Sequence, residues 1–390
     1  MRRSRLVPAA ALSVALLAGT ALSGCTSGGR TPPAPSGSGA FPSPSSSSAP
    51  GSSAPTQPPS TAPTAPYPDP ASASGKAVSL YDFIEFWGDN TAGMEADFAE
   101  LEAAGTTWAR LRLASSPAAA DRFATVVAAA ARHHIQLIVI LEKPAPLLDL
   151  GTPADQQAYR AWVAQIVRRY RASVHYWEIL SEPNLRYTWN IDSKHDSDQQ
   201  AYLTAVERYV TLLKQGYETV KATDPTATVL FGGLSEAKVE RYLRAVMTTD
   251  AARYFDIMDF HAYGQTPDSV LSRYRSFRRS MGGNPAWAAK PVWVEFGFNS
   301  SWSDKGGYSR TEGQKARNFV KATKLVTAAG AQGPIFWFTL HGNNPDSPGY
   351  GLITRDKQDL SRRRLKAFYA LKEMPAPGTG TGVTATSASP

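Results

Sequence analysis

Between residues 76 and 375 the chain alternates short β-type runs with stretches of helical period, eight times over, and this alternation restricts its fold more than any other feature. The β-type runs are Val78–Trp87, Thr107–Leu113, Ile135–Leu141, Val174–Leu180, Thr228–Gly232, Phe255–His261, Pro291–Phe296 and Pro334–Leu340. The helical stretches include Ala92–Ala104, Ala118–Arg132, Pro153–Tyr170, Gln199–Ala222, Lys238–Met247, Gln314–Ala329 and Ser361–Lys372. Many are alanine-rich, with apolar residues three and four apart, the spacing of one helix face. Glycine and proline mark the junctions, as at Gly105, Pro225, Gly282-Gly283 and Gly330. Strands that alternate with helices pair in parallel through crossovers. Eight units of about 37 residues predict an α/β chain folded as a (β/α)8 TIM barrel. The rival, an open doubly wound sheet, would want a glycine-rich phosphate loop after the first strand, and Glu85-Phe86-Trp87-Gly88 is not one.

A length of 390 residues would suit two domains, but the ends are of another kind. Residues 26–75 hold only five residues other than Pro, Ser, Gly, Ala and Thr, and thirteen of the fifty are Pro. Such a segment cannot bury enough apolar surface to offset its ordering entropy, so a disordered, semi-extended linker is expected. Residues 376–390 read as a disordered tail of similar composition. One domain, residues 76–375, remains. At the front, Arg2, Arg3 and Arg5 precede the short apolar run Leu6–Ala18 and then Leu22-Ser23-Gly24-Cys25. That is the order of a secretory signal, and the run falls short of the about 20 apolar residues of a spanning helix. Leu-Ser-Gly-Cys resembles the lipobox of bacterial lipoproteins. The resemblance implies a signal peptide over residues 1–24 and lipidation at Cys25. Residues 25–75 would then tether an extracytoplasmic domain to the cell membrane.

Cys25 is the one cysteine, which excludes an intrachain disulfide and any multi-cysteine metal site. No metal-ligand spacing stands out, since His133 and His134 are adjacent in a helical run and point different ways. Neither a metal nor a cofactor is expected. The formal charge of +8 falls to +5 once residues 1–24, with three arginines and no acid, are removed. No basic run is interleaved with aromatics, so nucleic acid is not an expected partner. Arg362-Arg363-Arg364 reads as the solvated face of a last helix.

In a (β/α)8 barrel the active site lies at the C-terminal strand ends. Two glutamates stand there, Glu182 after the fourth strand and Glu295 at the end of the seventh, on strands that roughly face each other across the mouth. Paired carboxyls suit glycoside hydrolysis. One protonates the departing oxygen; the other attacks the sugar carbon at a separation of about 5–5.5 Å, or activates water at about 6.5–9.5 Å. Asp259, His261 and Tyr263 share one face of strand six, as Arg110 and Arg112 do on strand two and Glu178 and Glu182 near strand four. Glu178 is expected deeper in the barrel, paired with a strand-two arginine. Glu85 and Glu142 remain unassigned. Trp87, Tyr187, Trp189, Trp302 and Tyr350 fall in loops expected to frame the mouth, where flat rings stack on sugars.

Trp177-Glu178-Ile179-Leu180-Ser181-Glu182-Pro183-Asn184 and Val292-Trp293-Val294-Glu295-Phe296-Gly297 resemble the acid/base and nucleophile strands of clan A glycoside hydrolases, in particular family 39 and its bacterial exopolysaccharide-hydrolase relatives. The resemblance implies a retaining hydrolase of a polysaccharide or oligosaccharide, with Glu182 as acid/base and Glu295 as nucleophile. It also implies that Tyr263 donates to the nucleophile, that Trp337 floors the sugar site, and that a strand-two arginine, Arg110 rather than Arg112, keeps the nucleophile ionised. His261 would complete the sugar site. Ser181 stands where the clan has an asparagine that grips the sugar 2-hydroxyl, and serine lacks the amide donors. The clan's substrates therefore do not carry over directly. A transglycosidase using the same residues and a catalytically weak carbohydrate-binding lipoprotein are the alternatives. A monomer is expected.

Overall fold

The computed structural model describes residues 73–80, 90–114, 117–142, 150–189, 199–300, 311–342, 349–355 and 362–377. Cys25, Glu85, Trp87, Trp302, the signal segment, nearly all of the linker and residues 378–390 lie outside them, as does the Tyr187 side chain. Eight parallel strands close into a barrel in sequence order: β1 (Lys76–Ser79), β2 (Trp108–Leu113), β3 (Gln136–Leu141), β4 (Tyr176–Ile179), β5 (Thr228–Ser235), β6 (Ile257–His261), β7 (Val292–Phe296) and β8 (Ile335–Phe338), with β8 pairing back onto β1. Around them lie α1 (Thr91–Ala103), α2 (Pro117–Arg132), α3 (Pro153–Tyr170), α4 (Gln199–Thr223), α5 (Val239–Val246), α6 (Pro267–Gly282), the short α7 (Pro285–Ala288), α8 (Glu312–Ala328) and α9 (Lys366–Glu373). The expected TIM barrel is the observed fold, and closure rules out the doubly wound sheet.

Side chains alternate across a strand, so each strand sends one set inward and one outward. Ala77, Trp108, Ile138, Tyr176, Leu230, Ile257, Trp293 and Phe336 form an apolar plug inside the barrel, apart from the larger outer core. The ring of Trp108 meets Tyr176 at 4.9 Å and Trp293 at 5.5 Å, both edge-on. Two residues further along the same strands stand Ser79, Arg110, Glu178, Asp259 and Glu295, all buried. The barrel interior thus turns from aromatic to ionic in one step toward its C-terminal end. The intervening residues, among them Val139, Trp177, Phe260, Val294 and Trp337, join the core shared with the helices.

Several helices carry start signals legible in the sequence. Thr152 caps α3 through Asp155 N, with Pro153 in the first turn. Thr266 and Thr311 cap α6 and α8 through capping boxes with Ser269 and Gln314. The α6 helix, between strands six and seven, completes the alternation there, and Thr266-Pro267 announces its start. The first strand is shorter and earlier than expected, ending at Ser79, with residues 81–89 outside the described residues.

Arg362-Arg363-Arg364 is a correction. It is a strand, β10 (Arg362–Arg364), antiparallel to β9 (Ile353–Arg355), and the last helix begins only at Lys366. Arg362 is no solvated charge: its Nε reaches buried Asp97 of α1 at 2.7 Å and its Nη2 donates to Gly93 O, while His341 Nε2 meets the other Asp97 oxygen at 2.8 Å.

The β5 strand runs past its expected end because it carries a bulge between Phe231 and Leu234. Both of those residues face the outer core although they are three apart, which an unbroken alternation forbids. Gly232 and Gly233 fill the bulge. A Cβ on Gly232 would sit 2.5 Å from Leu180 O and 2.7 Å from Ile179 O, backbone atoms that cannot swing aside. Gly232→Ala should therefore destabilise the domain by about 1–3 kcal/mol. The check is the denaturant midpoint at unchanged slope; a wild-type midpoint would show that β4 can yield.

Candidate active site

Arg110 stands at the centre of the ionic layer, with no exposed surface. Its Nε and Nη2 donate to the two oxygens of Glu178, each at 2.6 Å, a bidentate fork. Nη1 donates to Glu295 Oε2 at 3.1 Å and to Ser79 Oγ at 3.3 Å, and Nη2 also donates to Ser181 Oγ at 3.1 Å. Asp259 Oδ2 lies 3.4 Å from Nε. Burial alone would loosen the guanidinium's proton, but the charges of Glu178, Glu295 and Asp259 outweigh it and tighten the hold. Burial also pushes the Glu178 carboxyl up, with Arg110 pulling it down and Asp259 adding to the rise.

Glu295, the last residue but one of β7, accepts on both oxygens: from Arg110 on one, and from the Tyr263 hydroxyl on the other at 2.7 Å. Burial, and then the Glu295 charge, raise Tyr263 well above the ordinary tyrosine value, so it remains an O–H donor at neutral pH.

Glu182 reaches the same place by another route. The chain leaves β4 through Leu180 at φ 63° and Glu182 at φ 49°, left-handed conformations that cost non-glycine residues about 1 kcal/mol or more each. Neighbours hold the turn. Glu182 N donates to Gly233 O at 2.9 Å, and Asn184 bonds Ser235 N, Ser235 O and Ala237 O. Trp189 Nε1 donates to Pro183 O. The Glu182 carboxyl then meets His261 Nδ1 at 3.0 Å, and the same nitrogen lies 3.8 Å from Glu295 Oε1. One imidazole nitrogen therefore stands between the two carboxyls. Their surroundings differ: the Glu182 side chain is 20% exposed and that of Glu295 is 2%.

Glu182, Glu295, Arg110, Ser181, His261 and Tyr263 are thus brought together, and the expected Arg110–Glu178 pair is present. Ser181 faces Arg110 from a buried position. Trp337 is a correction. It is 0% exposed and faces outward, its ring 4.3 Å from Phe319 of α8 and its Nε1 donating to Tyr350 O. Phe336 belongs to the inner plug, so the next inward side chain on that strand is Phe338, which sequence reasoning missed. Phe338 stands edge-on to Tyr263 at 6.0 Å and to Tyr350 at 5.8 Å. Tyr350 therefore does join the site, whereas Trp189 is buried beneath the Glu182 turn. Arg112, the inner residue above Arg110, pairs with Glu142 at 2.6 Å, and both are partly exposed. Among the described residues no group of three or more His, Cys, Asp or Glu side chains is arranged to hold a metal ion.

The chain matches no family model and no curated protein. Solved structures do resemble it. A family 39 glycoside hydrolase from the gut symbiont Bacteroides cellulosilyticus WH2 is 17% identical with a TM-score of 0.57, over 76% of this chain and 62% of that one. The virulence factor SghA from Agrobacterium tumefaciens is 12% identical with a TM-score of 0.55, over 76% of this chain and 96% of that one. The β-glucosidase from Thermotoga maritima, solved with cyclophellitol, is 12% identical with a TM-score of 0.55, over 78% and 97%. The chain thus spans less than two thirds of the first relative's length and nearly all of the other two. At these identities the likeness is one of fold.

Replacing Arg110 by Met should cost about 3–5 kcal/mol of stability, because it strands the buried carboxyls without their cation. Calorimetric or chemical unfolding measures this; a loss below about 1 kcal/mol would show that the carboxyls find other partners.

Proposed function

We propose that the domain is a retaining glycoside hydrolase in which Glu295 is the nucleophile and Glu182 the acid/base. The observation that carries this reading is the sharing of His261 Nδ1 by the two carboxyls. Two oxygens on one nitrogen can stand no further apart than the sum of their distances, about 6.8 Å, the foot of the ~6.5–9.5 Å range that admits a water and a ceiling compatible with the ~5–5.5 Å of direct attack. The likeness in fold to a family 39 glycoside hydrolase and to a β-glucosidase supports the reading.

The residues divide the chemistry as follows. In the first step Glu182 gives its proton to the glycosidic oxygen as a Glu295 oxygen bonds the sugar carbon; the carbon–oxygen bond breaks and the alcohol leaves. Arg110 and Tyr263 hold Glu295 by both oxygens and so fix its line of attack. In the second step a water gives its proton to Glu182 and its oxygen to the sugar carbon, and the ester bond to Glu295 breaks. The more exposed carboxyl is then the one that exchanges protons with leaving group and water. Phe338, Tyr263 and Tyr350 supply an aromatic wall for an apolar sugar face.

Digestion of a glycan panel read by mass spectrometry, with NMR of the first-formed anomer, tests the reaction class; inverted product would overturn the nucleophile role. Glu295→Gln should abolish turnover with the fold intact. Glu182→Gln should lose about 10²–10⁴-fold on natural glycans and far less on aryl glycosides with good leaving groups, since only the former need the proton. Equal losses on both would remove the acid role.

We further infer from Leu22-Ser23-Gly24-Cys25 that a lipid on Cys25 anchors the protein outside the cytoplasm, with the proline-rich linker as spacer. Cys25→Ala should move the protein from the membrane fraction to the soluble one, and continued membrane fractionation would sink the anchor.

A further inference from the structure

The proposed mechanism gives the buried carboxyl of Asp259 no task. Asp259 is 1% exposed, on the inner face of β6 two residues before His261. Among the described residues neither of its oxygens makes a hydrogen bond, and neither does His261 Nε2. Arg110, 3.4 Å away, balances the charge of Asp259, but a buried polar atom left without a hydrogen bond still costs about 1–3 kcal/mol, so the retention of these atoms asks for an explanation. The two face each other: Asp259 Oδ2 lies 3.6 Å from His261 Nε2, an ion-pair distance just beyond hydrogen-bond length. The space around them is kept by the β5 bulge. A Cβ on Gly233 would fall 2.2 Å from His261 Nε2 and 2.7 Å from Asp259 Oδ2. The other ring nitrogen, Nδ1, is the one that meets Glu182.

Resting on the reading of Glu182 as acid/base, we propose that Asp259 is a positioning residue that holds a proton on His261 Nε2 and so leaves Nδ1 to share a second proton with Glu182. The pair then carries one mobile proton across its 3.0 Å contact. It lies on Glu182, bonded to the Nδ1 lone pair, or on Nδ1, bonded to the carboxylate. In the first chemical step that proton passes through Glu182 to the departing oxygen, leaving a carboxylate and a neutral ring lone pair to lone pair. That unfavourable contact makes the pair a base for the water of the second step, which returns the proton. One proton leaves and one arrives, and no other reactant is needed. Without Asp259 the neutral ring is free to place its only proton on Nδ1, where it stabilises the Glu182 carboxylate and starves the acid.

The groups around the ring agree. His261 faces Glu182 beyond β4, Glu295 on β7, Arg110 on β2 and Asp259 on its own strand. Burial would make the imidazolium less favourable. Glu295, Asp259 and Glu182 outweigh that cost, against Arg110, and raise the ring well above the ordinary histidine value.

Two measurements on the full-length protein test the assignment. Nitrogen-15 NMR of labelled histidine, with the His261 signals identified by their loss in His261→Gln, reads which ring nitrogen carries hydrogen. We expect a protonated Nε2 in the wild type throughout the pH range of the folded protein, and a bare Nε2 in Asp259→Asn at neutral pH. In kinetics, Asp259→Asn should lower the ratio of kcat/KM for alkyl glycosides to that for nitrophenyl glycosides by about tenfold or more, because only the former depend on the proton. A bare Nε2 in the wild type, or an unchanged ratio in Asp259→Asn, would overturn the proposal. The wild-type spectrum decides even if Asp259→Asn does not fold. It also separates this proposal from the functional reading, which fails instead if the wild type cleaves no glycoside in the panel.

Discussion

Arg110 donates to Glu178, Glu295, Ser79 and Ser181 from a position closed to solvent, with Asp259 beside it, and most of the inner layer takes its geometry from that one guanidinium. Removing an ion from water costs several kcal/mol, recovered only when the charge is paired and its hydrogens are used. A planar fork presents five N–H donors and can grip a carboxylate by both oxygens, which the compact ammonium of lysine does not. One cation still faces three carboxyls. The excess negative charge finds a second cation in His261, whose raised proton affinity is therefore a consequence of the same crowding. Directly beneath lies the aromatic plug of Trp108, Tyr176, Trp293 and Phe336, which keeps water out and the local dielectric low, so that each of these interactions is stronger than at a surface.

The backbone strain at the site has a partner in the β5 bulge. Leu180 and Glu182 adopt left-handed conformations only because the surrounding contacts over-determine them, and Gly233 supplies one of those contacts, its carbonyl accepting from Glu182 N, while its N–H donates to Glu178 Oε1. Its missing side chain also gives His261 and Asp259 their space. A regular strand with a Cβ at that position could not meet all three demands. The extra residue of the bulge is what turns the β4–β5 edge into a socket for Glu182.

Much of this was legible in the sequence, and the failures have definite physical causes. The eightfold alternation specifies the barrel because parallel strands need crossovers, and period two places Asp259, His261 and Tyr263, or Arg110 and Arg112, on common faces without knowing what they face. Parity is harder. Choosing between Trp337 and Phe338 requires knowing which residue of β8 enters the plug, and that depends on register against β7 and β1, which no local pattern carries. Trp189 falls in a loop after a strand end, but the tight turn after Glu182 folds that segment back onto Pro183 and buries the ring. The three arginines looked helical because Arg362 reveals its role only through Asp97, 265 positions earlier in the chain. Long-range partners decided the first and last of these cases, and a tight local turn decided that of Trp189; propensities decided none.

Both glutamates stand at the C-terminal end of the barrel, but the fold holds them in different ways. Glu295 is an ordinary strand residue, locked between Arg110 and Tyr263 on the inner face of the barrel. Glu182 lies past the end of its strand, on a turn that lifts it toward the opening and leaves His261 against its carboxyl. A nucleophile gains from immobility, because its attack needs one line and one distance. An acid/base gains from access to solvent and from a neighbour that can take up or release a proton. In the proposed mechanism the structural difference between a residue inside a strand and one just beyond it becomes a difference in chemical role. That argues for assigning the roles in this order rather than the reverse.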